Sequence, residues 1–266
     1  MDNQYVHSST FRNIYADLMK FGKEISPRGT KCIEIENYEY FLPPYVRFAS
    51  FDIRKLSISY IKKEFKWYLR GDKYDTSIGQ SASLWNTLIN RDGSINSNYG
   101  QYIFGIMNQF DNVVKILAGD KDSRRASIMI LKAEHLLSDS KDFPCTYSMN
   151  FRIRDNKLNM SVRMRSQDSV YGMGNDAPAF SFIHEMVFVC LKEVYPELEL
   201  GEYCHSSDSF HVYEKHYEMV KKIVDLDNYT LVECPRISSK KEVDFLRAGK
   251  FEEIPAEFEF AKWLNN

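Results

Sequence analysis

No run in the 266 residues is long and apolar enough to span a bilayer. The N-terminal MDNQYVHSST has neither the charged start nor the apolar stretch of a secretion signal. Cysteine is scarce: Cys32, Cys145, Cys190, Cys204 and Cys234 are an odd set, widely spaced and without a CxxC pair, which argues against a disulfide framework. The expected compartment is the reduced cytoplasm, where a cysteine is either a packing residue or a catalytic thiol. Neither charge sign dominates, with a net charge of −2 and both signs interspersed, so neither nucleic acid nor a membrane surface is expected as a partner held by bulk electrostatics. GxxxxGK[ST] and GxGxxG are both missing, which leaves ATP and dinucleotide binding in those modes unsupported. Internal repeats, low-complexity tracts and Gly/Ser/Pro-rich linkers are missing too, and residues 1–266 are expected to form one domain.

What is present is an ordinary core-forming composition, 44% apolar and 27% charged. Periodicity predicts a helix over 9–21, capped by Ser9 or Thr10, and helices over 55–70 and 102–118. Strands are predicted over 31–36, 127–132, 145–154, 158–165 and near 200–209. In 158–165, Leu158, Met160, Val162 and Met164 alternate with Asn159, Ser161, Arg163 and Arg165, and two arginines on one strand face call for a partner surface. A helix is predicted to open at Ala177 with Pro178 in its first turn, and another near 212–224. Without strict βαβ alternation the fold class is α+β.

Three features carry chemistry. Cys145 in DFPCTYSMN follows a proline that fixes the backbone; it is either a buried apolar residue or a nucleophile whose thiolate nearby arginines favour. Arg124 and Arg125, with Arg28 and Arg165, are either solvated charge or a bidentate phosphate clamp that also supplies a positive field. The stretch MRSQDSVYGMGND, 164–176, reads as a turn ending in Asn175-Asp176, where Asp176 is either the N-cap of the next helix or a functional carboxyl. Cys204, His205, His211 and His216 match no zinc spacing, and no metal is expected.

In order along the chain, Arg28-Gly29-Thr30, EFKWYLRGD (64–72), LWN (84–86), DGSINSNYG (92–100), DSRR (122–125), FPCT (143–146), MRSQD (164–168) and FHVYEKH (210–216) resemble the thymidylate synthase family, and within it the deoxycytidylate hydroxymethylase branch, over roughly residues 28–217. The resemblance implies a large mixed β-sheet flanked by helices, two subunits packed sheet to sheet as a homodimer, and 5,10-methylenetetrahydrofolate as co-substrate. It implies Cys145 as the nucleophile, Glu64 as the acid/base carboxyl and Tyr99 in its hydrogen-bond network. Arg28, Arg165 and Ser166 match phosphate positions of the same subunit, and Arg124 and Arg125 match arginines donated across the dimer. His211 and Tyr213 match the sugar-binding pair; Trp85, Asp168 and Gly172 match the folate side.

The chemistry implied is thiolate addition at C6 of a pyrimidine, which makes C5 a nucleophile toward the folate-borne methylene. Synthases carry an asparagine that reads uracil where Asp176 stands here, and a carboxyl there fits the cytosine 4-amino group. The expected reaction is therefore C5 hydroxymethylation of dCMP, by a phage-encoded enzyme acting in the host cytoplasm. The rivals are a methyl-forming enzyme acting on dUMP or dCMP, and a silent nucleotide- or RNA-binding relative. Thr146, Met164 and Leu88 depart from the synthase pattern, and 225–266, ending EFEFAKWLNN, does not resemble the apolar tail that closes over folate in synthases.

Overall fold

In the computed structural model, which describes residues 3–226 and 228–266, the chain folds in the order α1 (Asn3–Phe21), β1 (Lys23–Ile25), β2 (Cys32–Leu42), α2 (Ile58–Arg70), α3 (Gly100–Ile103), α4 (Gln109–Gly119), β3 (Ser127–Met129), α5 (Ala133–Leu136), β4 (Thr146–Arg154), β5 (Lys157–Met164), β6 (Gln167–Asp168), α6 (Tyr171–Lys192), β7 (Glu199–Tyr213), α7 (Tyr217–Asp225), α8 (Lys240–Ala248) and α9 (Glu259–Asn265). The sheet runs β1-β2-β7-β5-β4-β3, with β6 added to β7. The β5–β7 and β6–β7 pairs are parallel and the others antiparallel, so the sheet is mixed.

Alternation decides which face is covered. Met149, Phe151 and Ile153 of β4, with Leu158, Met160, Val162 and Met164 of β5, are buried under α6, whose Phe180, Phe182, Ile183, Met186 and Val187 are sealed from solvent. The other face carries Arg152, Arg154, Ser161, Arg163, Ser206 and Asp208 and is open or half-open. The edge strand β3 is blunted by one side chain: Gln109 accepts from Met129 N–H at 2.9 Å and donates to its carbonyl at 2.9 Å. Residues beyond 225 join the core, with Val243, Leu246, Phe258, Phe260 and Leu264 buried and α8 and α9 packed against α2.

The strands over 127–132, 145–154 and 158–165 lie close to their expected places, and the first strand continues past 36 to Leu42. Several boundaries differ, each for a local reason. The first helix starts at Asn3, because the hydroxyls of Ser9 and Thr10 bond back to the Val6 carbonyl and cap nothing. Ser57, accepting from Tyr60 N–H, starts α2 at Ile58. The helix expected over 102–118 is broken at 104–108, where Gly105 packs on Gly71 so closely that a Cβ would lie 2.7 Å from the Gly71 carbonyl oxygen and Asn108 takes a left-handed φ of 41°. β7 runs to Tyr213 because β2 pairs with it to the end, Cys32 opposite Tyr213, and the helix expected near 212 begins at Tyr217. Most consequential, α6 opens at Tyr171 rather than Ala177 and carries Pro178 in its interior. The 164–176 segment is therefore the end of β5, the short strand β6, a turn at 169–170 and the first residues of α6, and Asp176 is no cap.

Candidate active site

Cys145 sits at the entry of β4, and the loop before it is pinned twice. The Asp142 carboxylate, 3% exposed, accepts from Ser97 N–H at 2.8 Å and from the Ser97 hydroxyl. Arg165 reaches back from the end of β5, Nε donating to the Pro144 carbonyl at 3.1 Å and Nη2 to the Phe143 carbonyl at 2.8 Å. The same Nη2 lies 3.4 Å from the Cys145 Sγ. Arg165 has thus left the outer sheet face on which simple alternation put it, and Arg163, which remains there, finds Asp208 at 2.6 Å on β7. Burial raises the Cys145 thiol; the Arg165 charge lowers it, and Asp176 and Asp142 raise it further. The resting sulfur is held protonated beside the cation able to stabilise its anion.

Tyr99 is buried with its hydroxyl beside the Cys145 backbone and Thr146. Its ring stacks on Tyr68 at 5.7 Å. Gly100 makes that approach possible, because a Cβ there would collide with the Tyr68 carbonyl. Glu64, one helical turn from Tyr60, is 5% exposed. Trp85 Nε1 donates to the Tyr60 hydroxyl at 2.8 Å and that hydroxyl donates to Glu64 Oε1 at 2.9 Å. Burial, with the charge of Asp176, pushes Glu64 up to about 8 despite the Tyr60 bond. Asp176 is itself pushed up to about 7 by burial, with Asp168 adding to the rise and a Gln167 hydrogen bond opposing it. Two buried carboxyls thus titrate near neutrality, and the charge of Asp176 reaches both Glu64 and Cys145; groups of this kind can move protons at pH 7.

Asp168 ties the turn that leads into α6: Oδ1 accepts from Val170 N–H at 3.0 Å and Oδ2 from Tyr171 N–H at 3.1 Å. Gly172 lies over this turn, a Cβ there falling 3.4 Å from Gln167 Cγ and 3.6 Å from Asp176 Oδ2. Trp85 leans on Trp67 at 5.0 Å with its N–H already bonded and its ring half-buried. The rings of His211 and Tyr213 meet edge-on at 5.0 Å. Tyr213 feels the charges of Asp168, Arg28 and Cys145. Arg28 is exposed in a turn with a left-handed φ of 53°, and Ser166 is half-buried beside Arg165.

One chain does not assemble the four-arginine clamp. Phe151 N–H bonds the Ala126 carbonyl and Ser127 stands opposite Asn150, so Arg125 falls across from Arg152. The strand from Cys145 to Arg152 spans about 23 Å at roughly 3.3 Å per residue. Arg124 and Arg125 are exposed at that far end. A wide cleft between Gly71, Tyr74, Tyr102, Ile106 and Met129 contains none of the groups above. Among the described residues no group of three or more His, Cys, Asp or Glu side chains is arranged to hold a metal, and no helix is long and apolar enough to cross a membrane.

Sequence reasoning missed Tyr60, Tyr40, Gln167 and Asp142. Tyr60 was findable, being at i−4 from Glu64 on a predicted helix; the others depend on strand register and loop packing that no spacing reveals.

The thymidylate synthase family model matches residues 9–257. Over 205 residues the chain is 29% identical to the deoxycytidylate 5-hydroxymethyltransferases of Enterobacteria phages T6 and T4, covering 74% of this chain and 81% of each relative. It is 26% identical over 262 residues to the deoxyuridylate hydroxymethyltransferase of Bacillus phage SP01, covering 88% of this chain and 65% of that relative. The mixed sheet flanked by helices and the extent of the match agree: the chain belongs to the thymidylate synthase family, enzymes that transfer a one-carbon unit from methylenetetrahydrofolate to a nucleotide.

Proposed function

We propose that the enzyme hydroxymethylates dCMP at C5, as a homodimer in which residues 1–266 act as one domain. The observation that carries the reading is Asp176: a carboxyl, titrating at about 7, beside Cys145 and Glu64. A carboxylic acid whose proton faces N3 accepts from the cytosine 4-amino group and donates to N3; against uracil that same arrangement leaves buried polar groups unpaired at about 1–3 kcal/mol each.

In this reading Arg28, Arg165 and Ser166 hold the phosphate, joined by Arg124 and Arg125 of the opposite subunit, which would remedy the long separation within one chain. His211 and Tyr213 take the sugar hydroxyl. Cys145 Sγ bonds to C6, with Arg165 stabilising the thiolate, and the electron pair released to C5 attacks the incoming methylene carbon. The folate, between Trp85, Gly172 and Asp168, supplies that carbon. Glu64, steered by Tyr60, accepts and returns protons; as the C5 proton is lost, the bond from the transferred carbon to the folate nitrogen breaks, tetrahydrofolate leaves, and an exocyclic methylene remains on C5. Water then adds to the exocyclic methylene, and the thiolate leaves C6. Turnover of dCMP and of dUMP with the folate in heavy-oxygen water, followed by product mass, tests this. We expect dCMP to gain one CH2O unit carrying solvent oxygen; a methyl product, or turnover of dUMP alone, refutes it. The resemblance to a deoxyuridylate enzyme over 88% of the chain makes dUMP the reading to beat.

A further inference from the structure

Asp176 alone does not choose a base. A cytosine edge presents an acceptor at N3 and a donor at N4; a uracil edge presents the reverse, a donor at N3 and an acceptor at O4. A carboxylic acid can match either, depending on which of its two oxygens carries the proton. Asp176, titrating at about 7, has that proton available. Something else must decide where it sits.

The group in contact with one of those oxygens is Gln167, 2% exposed on β6. Its Nε2 lies 3.4 Å from Asp176 Oδ2 and donates toward it. Its Oε1 accepts from the Tyr40 hydroxyl at 3.1 Å. The two ends of a carboxamide look alike in shape, so partners determine its orientation. Turned over, Gln167 would direct two donor N–H groups at Tyr40 and leave the Tyr40 proton without a destination. Tyr40 is 5% exposed, its ring stacked on His205 at 4.9 Å and 4°, and among the described residues its hydroxyl has no acceptor besides Oε1. The orientation is therefore fixed from outside the site, and the N–H it presents makes Oδ2 an acceptor.

We propose that Gln167, locked by Tyr40, keeps the Asp176 proton on Oδ1, so that the site pairs with one base and refuses the other; with dCMP as the substrate, Oδ1 is the oxygen that meets N3 and uracil is the base refused. Gln167 and Tyr40 are positioning residues in this role: they act through Asp176. The proposal rests on Asp176 as the base-reading group and adds what breaks the symmetry of its two oxygens. It also states what a deoxyuridylate-using site requires, a group at this place that accepts a proton.

The test is the ratio of kcat/KM for dCMP to that for dUMP, measured with the folate co-substrate in Gln167→Met, Gln167→Glu and Tyr40→Phe, each checked for a native melt. Gln167→Met removes the N–H at nearly constant volume, and the ratio falls by about tenfold, the scale expected when one buried donor–acceptor match is lost. Gln167→Glu replaces the donor with an acceptor, favours a proton on Oδ2, and lowers the ratio further. Tyr40→Phe keeps the stacked ring, removes one oxygen and frees the carboxamide to turn, which gives a smaller fall in the same direction. A purely packing role predicts no such order, since loss of packing lowers both substrates together. A ratio within about twofold of wild type in all three folded proteins overturns the proposal while leaving Asp176 as the reader. A wild-type enzyme that prefers dUMP overturns both.

Discussion

Glu64 is the group whose burial should be measurable without any substrate. In the unfolded chain it titrates near its ordinary 4.5; in the folded protein it is held at about 8, first by desolvation and then by the Asp176 charge. Between those values the native state keeps a proton that the unfolded state has released, so stability falls as pH rises from about 4.5 to 8 and levels off above. A displacement of that size corresponds to about 5 kcal/mol if no water enters, and to about 2 kcal/mol if partial hydration relieves the ion. Glu64→Gln preserves shape and neutrality and has no proton to lose. Urea melts of both proteins at pH 5 and pH 9 isolate the effect. At pH 5 they should be close in stability; at pH 9 Glu64→Gln should be the more stable by about 2–5 kcal/mol. Asp176, held at about 7, contributes to the slope of both and largely cancels in the difference. If the gap changes by less than about 0.5 kcal/mol between the two pH values, Glu64 is not a buried neutral acid and its role in proton transfer loses its physical basis.

Arg165→Lys keeps the charge but cannot serve two carbonyls and the sulfur together; the Cys145 thiol should ionise only at higher pH, read as a shift in the pH dependence of its alkylation, with kcat/KM down roughly tenfold or more. Cys145→Ala and Arg124→Ala/Arg125→Ala proteins, each inactive alone, should recover about a quarter of wild-type activity when subunits are exchanged in equal amounts, because half the dimers are mixed and each has one intact site; no recovery argues against arginines supplied in trans. Asp168→Ala removes both bonds to the turn that leads into α6 and should cost about 1 kcal/mol in thermal melts, with a rise in KM for the folate.

What the sequence made legible follows from how local each signal is. The clean alternation of 158–165 placed β5 and its buried face, since a period of two needs only its own residues. Cys145, Glu64, Tyr99 and Arg165 were identifiable through ordered motifs; Tyr99 and Arg165 come together on Cys145, and Glu64 on α2 lies within reach of the Asp176 charge that also reaches Cys145. Asp176 drew two readings because its neighbours, Ala177 and Pro178, imitate a helix start. The helix instead opens at Tyr171, after a turn tied by Asp168, and leaves Asp176 within it. Arg165 deceived alternation because the strand stops one residue short and lets it fold back over the Cys145 loop. Gln167 and Tyr40 could not be paired in advance: they are 127 residues apart and meet only through the register of β2, β7 and β6.

The most direct test of base choice is the substrate preference of Asp176→Ala. Alanine neither donates to cytosine N3 nor accepts from its 4-amino group, so the bonds that tell cytosine from uracil are gone. Measured as kcat/KM on dCMP and dUMP with the same folate, the preference for dCMP should fall by a factor of roughly 10 to 10². A preference for dCMP that survives the substitution unchanged would mean that cytosine is read elsewhere, and the account given for this site would be wrong.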